Sequence, residues 1–336
     1  MRILIWHVHG SWLTSFVQGS HDYLVPVTPD RGPFGLGRAR TWNWPASVAE
    51  VTPGQLRETP VDVVVLQRPE ELALVSAWLG QVPGRDVPAV YTEHDAPPGP
   101  AAGTPHPMAR VPGLRIVHVT HFNALYWDCG AAPVTVIEHG VVDPGPRYTG
   151  ELPRAAVVIN EPLRRGRTVG TDLLPGFGAA APLDVFGMRV SGLARALGLP
   201  SWRCREFDDL PQHAMHERLS RCRVYLHPYR WTSLGLSLIE AMYLGMPVVA
   251  VAATEVPLAV PAAAGLVSSD PAALRDALRR FITDPAAARA AGAAAREAAR
   301  CRYGLGRFLR DWDEVLREAQ EGTRTARPIE TPAAGK

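Results

Sequence analysis

The sequence predicts an α/β protein built from two doubly wound, parallel-sheet halves. Three observations carry this. Short apolar runs rich in Val, Ile and Leu recur along the chain, with helical patterns between them, as alternating strands and helices require. The 336 residues suffice for two domains of ordinary size, and 46% hydrophobic content supplies their cores. The alternation also pauses once, at the Pro- and Gly-bearing residues 144–153, and then begins again.

In the first half, residues 2–8 form an apolar run that ends in His9-Gly10-Ser11, a strand followed by a Gly-bearing loop. Residues 13–17 start a helix and residues 23–27 form the next strand. Residues 30–37 hold three glycines and a proline and read as a flexible loop, followed by Trp42-Asn-Trp-Pro45. Residues 61–66 are a strong strand, and residues 70–79 a helix stopped by Gly80. Residues 88–92 form a strand ending at Glu93-His-Asp95, and the Pro/Gly-rich residues 96–107 form a loop. Strands at 114–119 and 134–137 complete the half.

Residues 144–153 read as the linker, which places a first domain at 1–150 and a second at 151–304. Strands are expected at 155–159, 183–186, 224–226, 247–251 and 265–267. Helices are expected at 173–177, 190–197, 212–220 and 238–244. Two amphipathic helices, 271–283 and 285–300, each begin with proline, whose fixed φ suits a first helical turn. A last helix at 305–320 is expected to return to the first domain, and the polar tail 321–336 to be disordered.

Composition narrows the function. A net charge of +2 does not describe a nucleic-acid binder. The only lysine is Lys336, so any phosphate clamp must use arginine. Cys129, Cys204, Cys222 and Cys301 lie far apart without a CxxC pair, which suggests reduced thiols rather than zinc ligands or disulfides. No apolar run approaches the roughly 20 residues that span a bilayer. The start turns polar too early for a signal peptide, and a soluble cytoplasmic protein is the expectation.

The most informative stretch is residues 227–250, His-Pro-Tyr-Arg-Trp-Thr-Ser-Leu-Gly-Leu-Ser-Leu-Ile-Glu-Ala-Met-Tyr-Leu-Gly-Met-Pro-Val-Val-Ala. It reads as loop, helix, tight turn and buried strand. Gly235 permits a tight turn and close approach of a ligand to the backbone. Leu236 and Ser237 open the helix, whose unpaired N–H groups suit a diphosphate. Glu240 follows about one turn later and can accept from a ribose diol.

This stretch resembles the donor-site segment of retaining glycosyltransferases of family 4, whose usual form is Pro-Ser, Glu-Gly-Phe-Gly-Leu, Glu-Ala-Met and Gly-x-Pro-Val-Val-Ala. Further similarities are Val136-Ile-Glu-His-Gly-Val141, Val169-Gly-Thr-Asp-Leu-Leu174, the strand from Leu183 to Gly187, Gly265-Leu-Val-Ser-Ser-Asp-Pro271, and the strand-end His94-Asp95. The resemblance implies a GT-B architecture, two Rossmann-like halves facing a cleft. It also implies metal-independent, retaining transfer of a sugar from a nucleotide-diphosphate sugar to a small-molecule or glycan hydroxyl, with no separate cofactor. Gly10, Gly187, Thr232, Gly235, Leu236, Ser237 and Glu240 are the implied donor contacts. His94 would position the sugar and steady charge at the anomeric carbon.

Two positions depart from the family. Thr232 stands where the first of two glutamates is usual, so an uncharged hydroxyl faces the sugar. Val169 stands where a phosphate-binding lysine is usual, and Arg164-Arg-Gly-Arg167 lies just upstream. Arg164 and Arg165 are the candidates to hold the leaving diphosphate, unranked against Arg167. His9 and His139 also follow strands, and Trp42 and Trp44 suit either an acceptor platform or packing. The alternatives are a nucleotide-sugar epimerase of the same architecture and an inactive binding subunit, the latter favoured by Thr232.

Overall fold

The computed structural model describes residues 1–326. The chain divides into two units, one formed by Met1–Glu138 with the chain from Gly306, the other by His139–Leu305.

The first unit holds strands β1 (Arg2–Ile5), β2 (Asp22–Pro26), β3 (Val48–Val51), β4 (Val63–Leu66), β5 (Ala89–Glu93), β6 (Thr104–Pro105), β7 (Arg115–His118), β8 (Trp127–Asp128) and β9 (Val134–Val136). Seven of these form one sheet in the order β3-β2-β1-β4-β5-β7-β9, while β6 pairs with β8. All pairings are parallel, with Ile3 opposite both Tyr23 and Val63. β4 is Val-Val-Val-Leu with all four residues buried, the composition of a strand covered on both faces. The order steps outward from β1 in one direction and from β4 in the other. Ligands in such sheets bind beyond the carboxyl ends at that switch point.

The second unit holds β10 (Leu152–Val158), β11 (Leu183–Gly187), β12 (Cys204–Asp208), β13 (Cys222–His227), β14 (Val248–Val251) and β15 (Gly265–Ser268), in the order β12-β11-β10-β13-β14-β15. This is the Rossmann order, with the switch point between β10 and β13. Four strands were not foreseen by pattern: the two-residue β6 and β8, of which β6 falls in the loop expected at 96–107, and, in the two main sheets, β3 and β12. β3 and β12 are sheet edges; β3 buries only Val48 and Val51 and β12 only Cys204, so neither shows the continuous apolar run of an inner strand.

Residues 144–153 are not a free linker. Tyr148 N–H donates to the Leu244 carbonyl at 3.0 Å, Thr149 N–H to that of Ser220 at 2.9 Å, and the Tyr148 hydroxyl to that of Arg223 at 2.7 Å. These bonds hold the stretch within the second unit, and the division falls between Glu138 and His139. The prolines do begin helices, Pro271–Thr283 and Pro285–Arg302. Asp270 caps the first by accepting from Ala272 N–H at 2.8 Å, and Asp284 the second from Ala287 N–H at 2.9 Å.

The last helix, Leu305–Ala326, continues beyond Gln320. Its fully buried Trp312 meets Trp12 and Phe16 edge-on, with ring centroids 5.6 and 5.1 Å apart. The rest of the tail, for which the sequence predicts disorder, lies outside the described residues. Among those residues no helix is long and apolar enough to cross a membrane.

Burial separates the cysteines. Cys129, Cys204 and Cys222 are buried and Cys301 is exposed. Burial pushes the Cys129 and Cys204 thiols up to about 11, and Cys222 is raised further. Iodoacetamide on the native protein should therefore modify Cys301 alone, and all four cysteines after unfolding. Peptide mass mapping reads the result; a second native site among the buried three would contradict the packing described here.

Candidate functional site

The carboxyl ends of β10 and β13 flank the switch point of the second unit. After β10, Glu161 takes a left-handed conformation, φ 54°, and begins the short turn Pro162–Arg165. The carboxylate of Glu161 accepts from Arg164, with Nε at 2.9 Å, and from Arg189 at 2.7 Å. Arg167 pairs with Asp172 at 2.9 Å, and Arg230 grips the same carboxylate with both Nη atoms. Arg165 differs from its neighbours. It is half-buried, its guanidinium carbon lies 5.9 Å from the Tyr229 ring centroid, and it makes no ion pair among the described residues. Of the three arginines that the sequence leaves unranked, it alone presents an unpaired cation.

Tyr225, His227 and Tyr229 alternate along one side of the β13 segment, as period-2 geometry requires. His227 is fully buried and stacked on Tyr229, centroids 4.7 Å apart and planes 20° apart, with Tyr225 6.2 Å away on a similar plane. Neither ring nitrogen of His227 has a hydrogen-bond partner among the described residues. Burial lowers its pKa to about 3, so the ring is neutral near pH 7.

The Nδ1–Cε1–Nε2 edge of His227 faces Gly235. A Cβ on Gly235 would stand 2.8 Å from Cε1. The backbone at Gly235, φ −70° and ψ 120°, is one that any residue adopts. Gly235 is thus required by the histidine behind it and not by a tight turn, which corrects the expectation from sequence.

The helix Leu236–Leu244 starts directly after Gly235. Ser237 turns inward, its Oγ 2.9 Å from the Tyr225 hydroxyl, and Leu236 packs against the core, so both offer backbone N–H groups rather than side chains. Glu240 is buried at 4% exposure, and its carboxylate is held from the neighbouring helix Gln212–Leu219. Gln212 Nε2 donates to Oε1 at 3.0 Å, and His216 Nε2 lies 3.1 Å from Oε2. Gln212 and His216 were missed by motif reading, although their i,i+4 spacing puts them on one helix face.

The loop carrying Thr232 is anchored to the 166–172 segment. Arg230 and Trp231 N–H groups both donate to the Thr168 carbonyl, at 2.9 and 3.1 Å. Thr232 itself is half-buried. Gly187 ends β11 with φ 138°, and a Cβ there would stand 2.0 Å from the Ile159 carbonyl oxygen. Its glycine serves the close approach of two strand ends, independently of any ligand. His139 is buried at the first residue of this unit.

In the first unit, His94 follows β5 and is buried. Its ring lies against that of His9, with centroids 4.1 Å apart and planes tilted by 35°, and meets the Trp12 ring edge-on at 4.9 Å. Burial lowers the pKa of His9, opposed by Asp95 and reinforced by Arg68. Gly10 does not offer open backbone. A Cβ there would stand 2.6 Å from the Trp42 ring, which already covers that side. Trp44 is buried and donates Nε1–H to Thr14 at 2.9 Å, a packing role, while Trp42 is half-buried.

The turn that carries His94 is held by a pair which the sequence does not reveal. Glu93 accepts from Asp95 N–H at 2.7 Å and lies 3.0 Å from His106 Nε2. Met108 N–H donates to His106 Nδ1 at 3.1 Å, so Nε2 carries the proton toward Glu93. His106 lies in the Pro/Gly-rich loop, where no spacing marks it.

Residues 193–298 match the family described as glycosyl transferases group 1. No curated protein sequence matches the chain. Several solved structures do. Sucrose-phosphate synthase from Thermosynechococcus elongatus is similar at 14% identity and TM-score 0.72, over 95% of this chain and 98% of that one. A glycosyltransferase from Rickettsia africae follows at 12% identity and TM-score 0.67, over 95% and 98%. HepE of Anabaena, solved with UDP and glucose, is similar at 15% identity and TM-score 0.65, over 95% and 100%. At these identities the likeness carries the fold: the chain has the GT-B fold. The match over residues 193–298 and this fold together support glycosyltransferase activity.

Proposed function

We propose that the protein is a retaining glycosyltransferase of family 4, moving a sugar from a nucleoside-diphosphate donor to a hydroxyl acceptor without a metal ion. The observation that carries this reading lies wholly within the second unit. An unpaired guanidinium, a helix N-terminus and a buried carboxylate one turn inside that helix gather at the switch point of a Rossmann-ordered sheet. Those are the parts a diphosphate and a ribose diol require.

In the proposed reaction the bond from the anomeric carbon to the diphosphate oxygen breaks, and the bond to the acceptor oxygen forms on the same face. The acceptor proton passes to a leaving phosphate oxygen. Arg165 and the N–H groups of Leu236 and Ser237 stabilise the negative charge that grows on the diphosphate. His94 is assigned to the sugar and to the charge at the anomeric carbon. Thr232 is assigned to the sugar hydroxyls, as an uncharged substitute for the family's acid.

The first test is a thermal-shift panel of UDP, GDP, ADP and dTDP, headed by UDP because HepE was solved with UDP-glucose. One nucleotide should raise the midpoint. Binding to the native state alone stabilises by about 2.7 kcal/mol at a hundredfold excess over Kd. Its sugar conjugate should then be turned over in the presence of EDTA. No shift with any nucleotide would rule out the donor site. Binding without turnover would favour the inactive subunit, the reading that Thr232 supports.

A further inference from the structure

We propose that His216 is the fixed positioning residue for Glu240, and that Gln212 is a place-holder which the ribose diol displaces. The inference deepens the reading of Glu240 as the ribose carboxylate and rests on it.

The two partners sit one turn apart on the same helix but in different surroundings. The His216 side chain is 6% exposed and that of Glu240 5%. A hydrogen bond between two groups so deeply buried is costly to break, because neither regains water. It therefore fixes the carboxylate's orientation. Gln212 is half-buried at the first residue of its helix, after Pro211, and bonds the other oxygen with a neutral amide. Released from Glu240, its amide can return to water at little cost. A diol approaching Oε1 competes with Gln212, whereas His216 stays on Oε2 and holds the acceptor geometry.

The test is calorimetric titration of the full chain with UDP, or with GDP or ADP if one of those ribonucleotides binds better in the panel above, and with its 2′,3′-dideoxy counterpart. His216→Leu should weaken the ribonucleotide about tenfold, one charge-assisted hydrogen bond, and leave the dideoxy compound unchanged. His216→Gln, which keeps a donor near the Nε2 position, should recover most of the loss. Gln212→Ala should bind the ribonucleotide roughly twofold to tenfold more tightly, since a neutral hydrogen bond no longer competes.

Equal losses for both compounds in His216→Leu would reduce His216 to a packing role. An unaffected His216→Leu beside a weakened Glu240→Gln would overturn the positioning role alone. A weakened Gln212→Ala would overturn the displacement. Unchanged ribonucleotide affinity in Glu240→Gln would instead overturn the ribose assignment beneath it. His216→Gln keeps the test open if the leucine variant does not fold.

Discussion

Arg165→Ala is expected to lose nucleoside-diphosphate binding by about 3 kcal/mol, on the order of a hundredfold, the scale of a bidentate charge-assisted pair. Arg164→Ala and Arg167→Ala should stay within about threefold of the parent, because a surface ion pair changes little when one partner is removed. The contrast follows from existing partners. Arg164 spends its donors on Glu161, and Arg167 on Asp172, which Arg230 also holds. Arg165 stands over Tyr229, and that ring is stacked on His227 beside the start of the helix. Titration of the three variants with the nucleotide and its sugar conjugate decides the matter. A loss in Arg164→Ala equal to that in Arg165→Ala would defeat the ranking. Arg165→Lys should recover only part of the affinity, since an ammonium cannot bind a phosphate with a planar fork.

The second large effect is expected at Gly235. Alanine there places a methyl group 2.8 Å from Cε1 of His227, closer than packed carbons stand. The imidazole has nowhere to retreat, because it is fully buried and stacked on Tyr229. The helix N-terminus must therefore shift. Overpacking of this kind costs about 1–3 kcal/mol of stability, and it moves the N–H groups assigned to the phosphate. His227→Ala removes the obstacle. The double variant Gly235→Ala/His227→Ala should thus be more stable, and bind nucleotide better, than the sum of the single losses. Urea unfolding and nucleotide titration across the four proteins measure the coupling. Strict additivity would mean that glycine at 235 serves some other neighbour.

Much of the fold could be read from contiguous residues. The Val-Val-Val-Leu run announces β4, Pro271 and Pro285 with Asp270 and Asp284 announce their helices, and Gly245-Met-Pro-Val-Val announces a turn and a buried strand. The candidate donor segment was legible for the same reason. Gly235, the helix and Glu240 lie within a few residues, so their spacing survives in the sequence. Edge strands β3 and β12 escaped because a strand at a sheet edge needs less apolar surface.

The partnerships were not legible. Arg164 and Arg167 are engaged by Glu161 and Asp172, three and five positions away, pairings that local spacing permits without selecting them, and Asp172 is held in place by Arg230 from 58 positions away. Glu240 meets His216 across 24 positions, and Glu93 meets His106 across a loop that looks featureless. The glycines show the same divide. Each announces a close approach, but its neighbour is His227, Trp42 or the Ile159 carbonyl only once the chain has folded. Periodicity and capping depend on side chains a turn or a pleat apart, so they are written in adjacent letters. Which charge is already paired, and which face is already filled, depends on groups that only packing brings within a few ångströms.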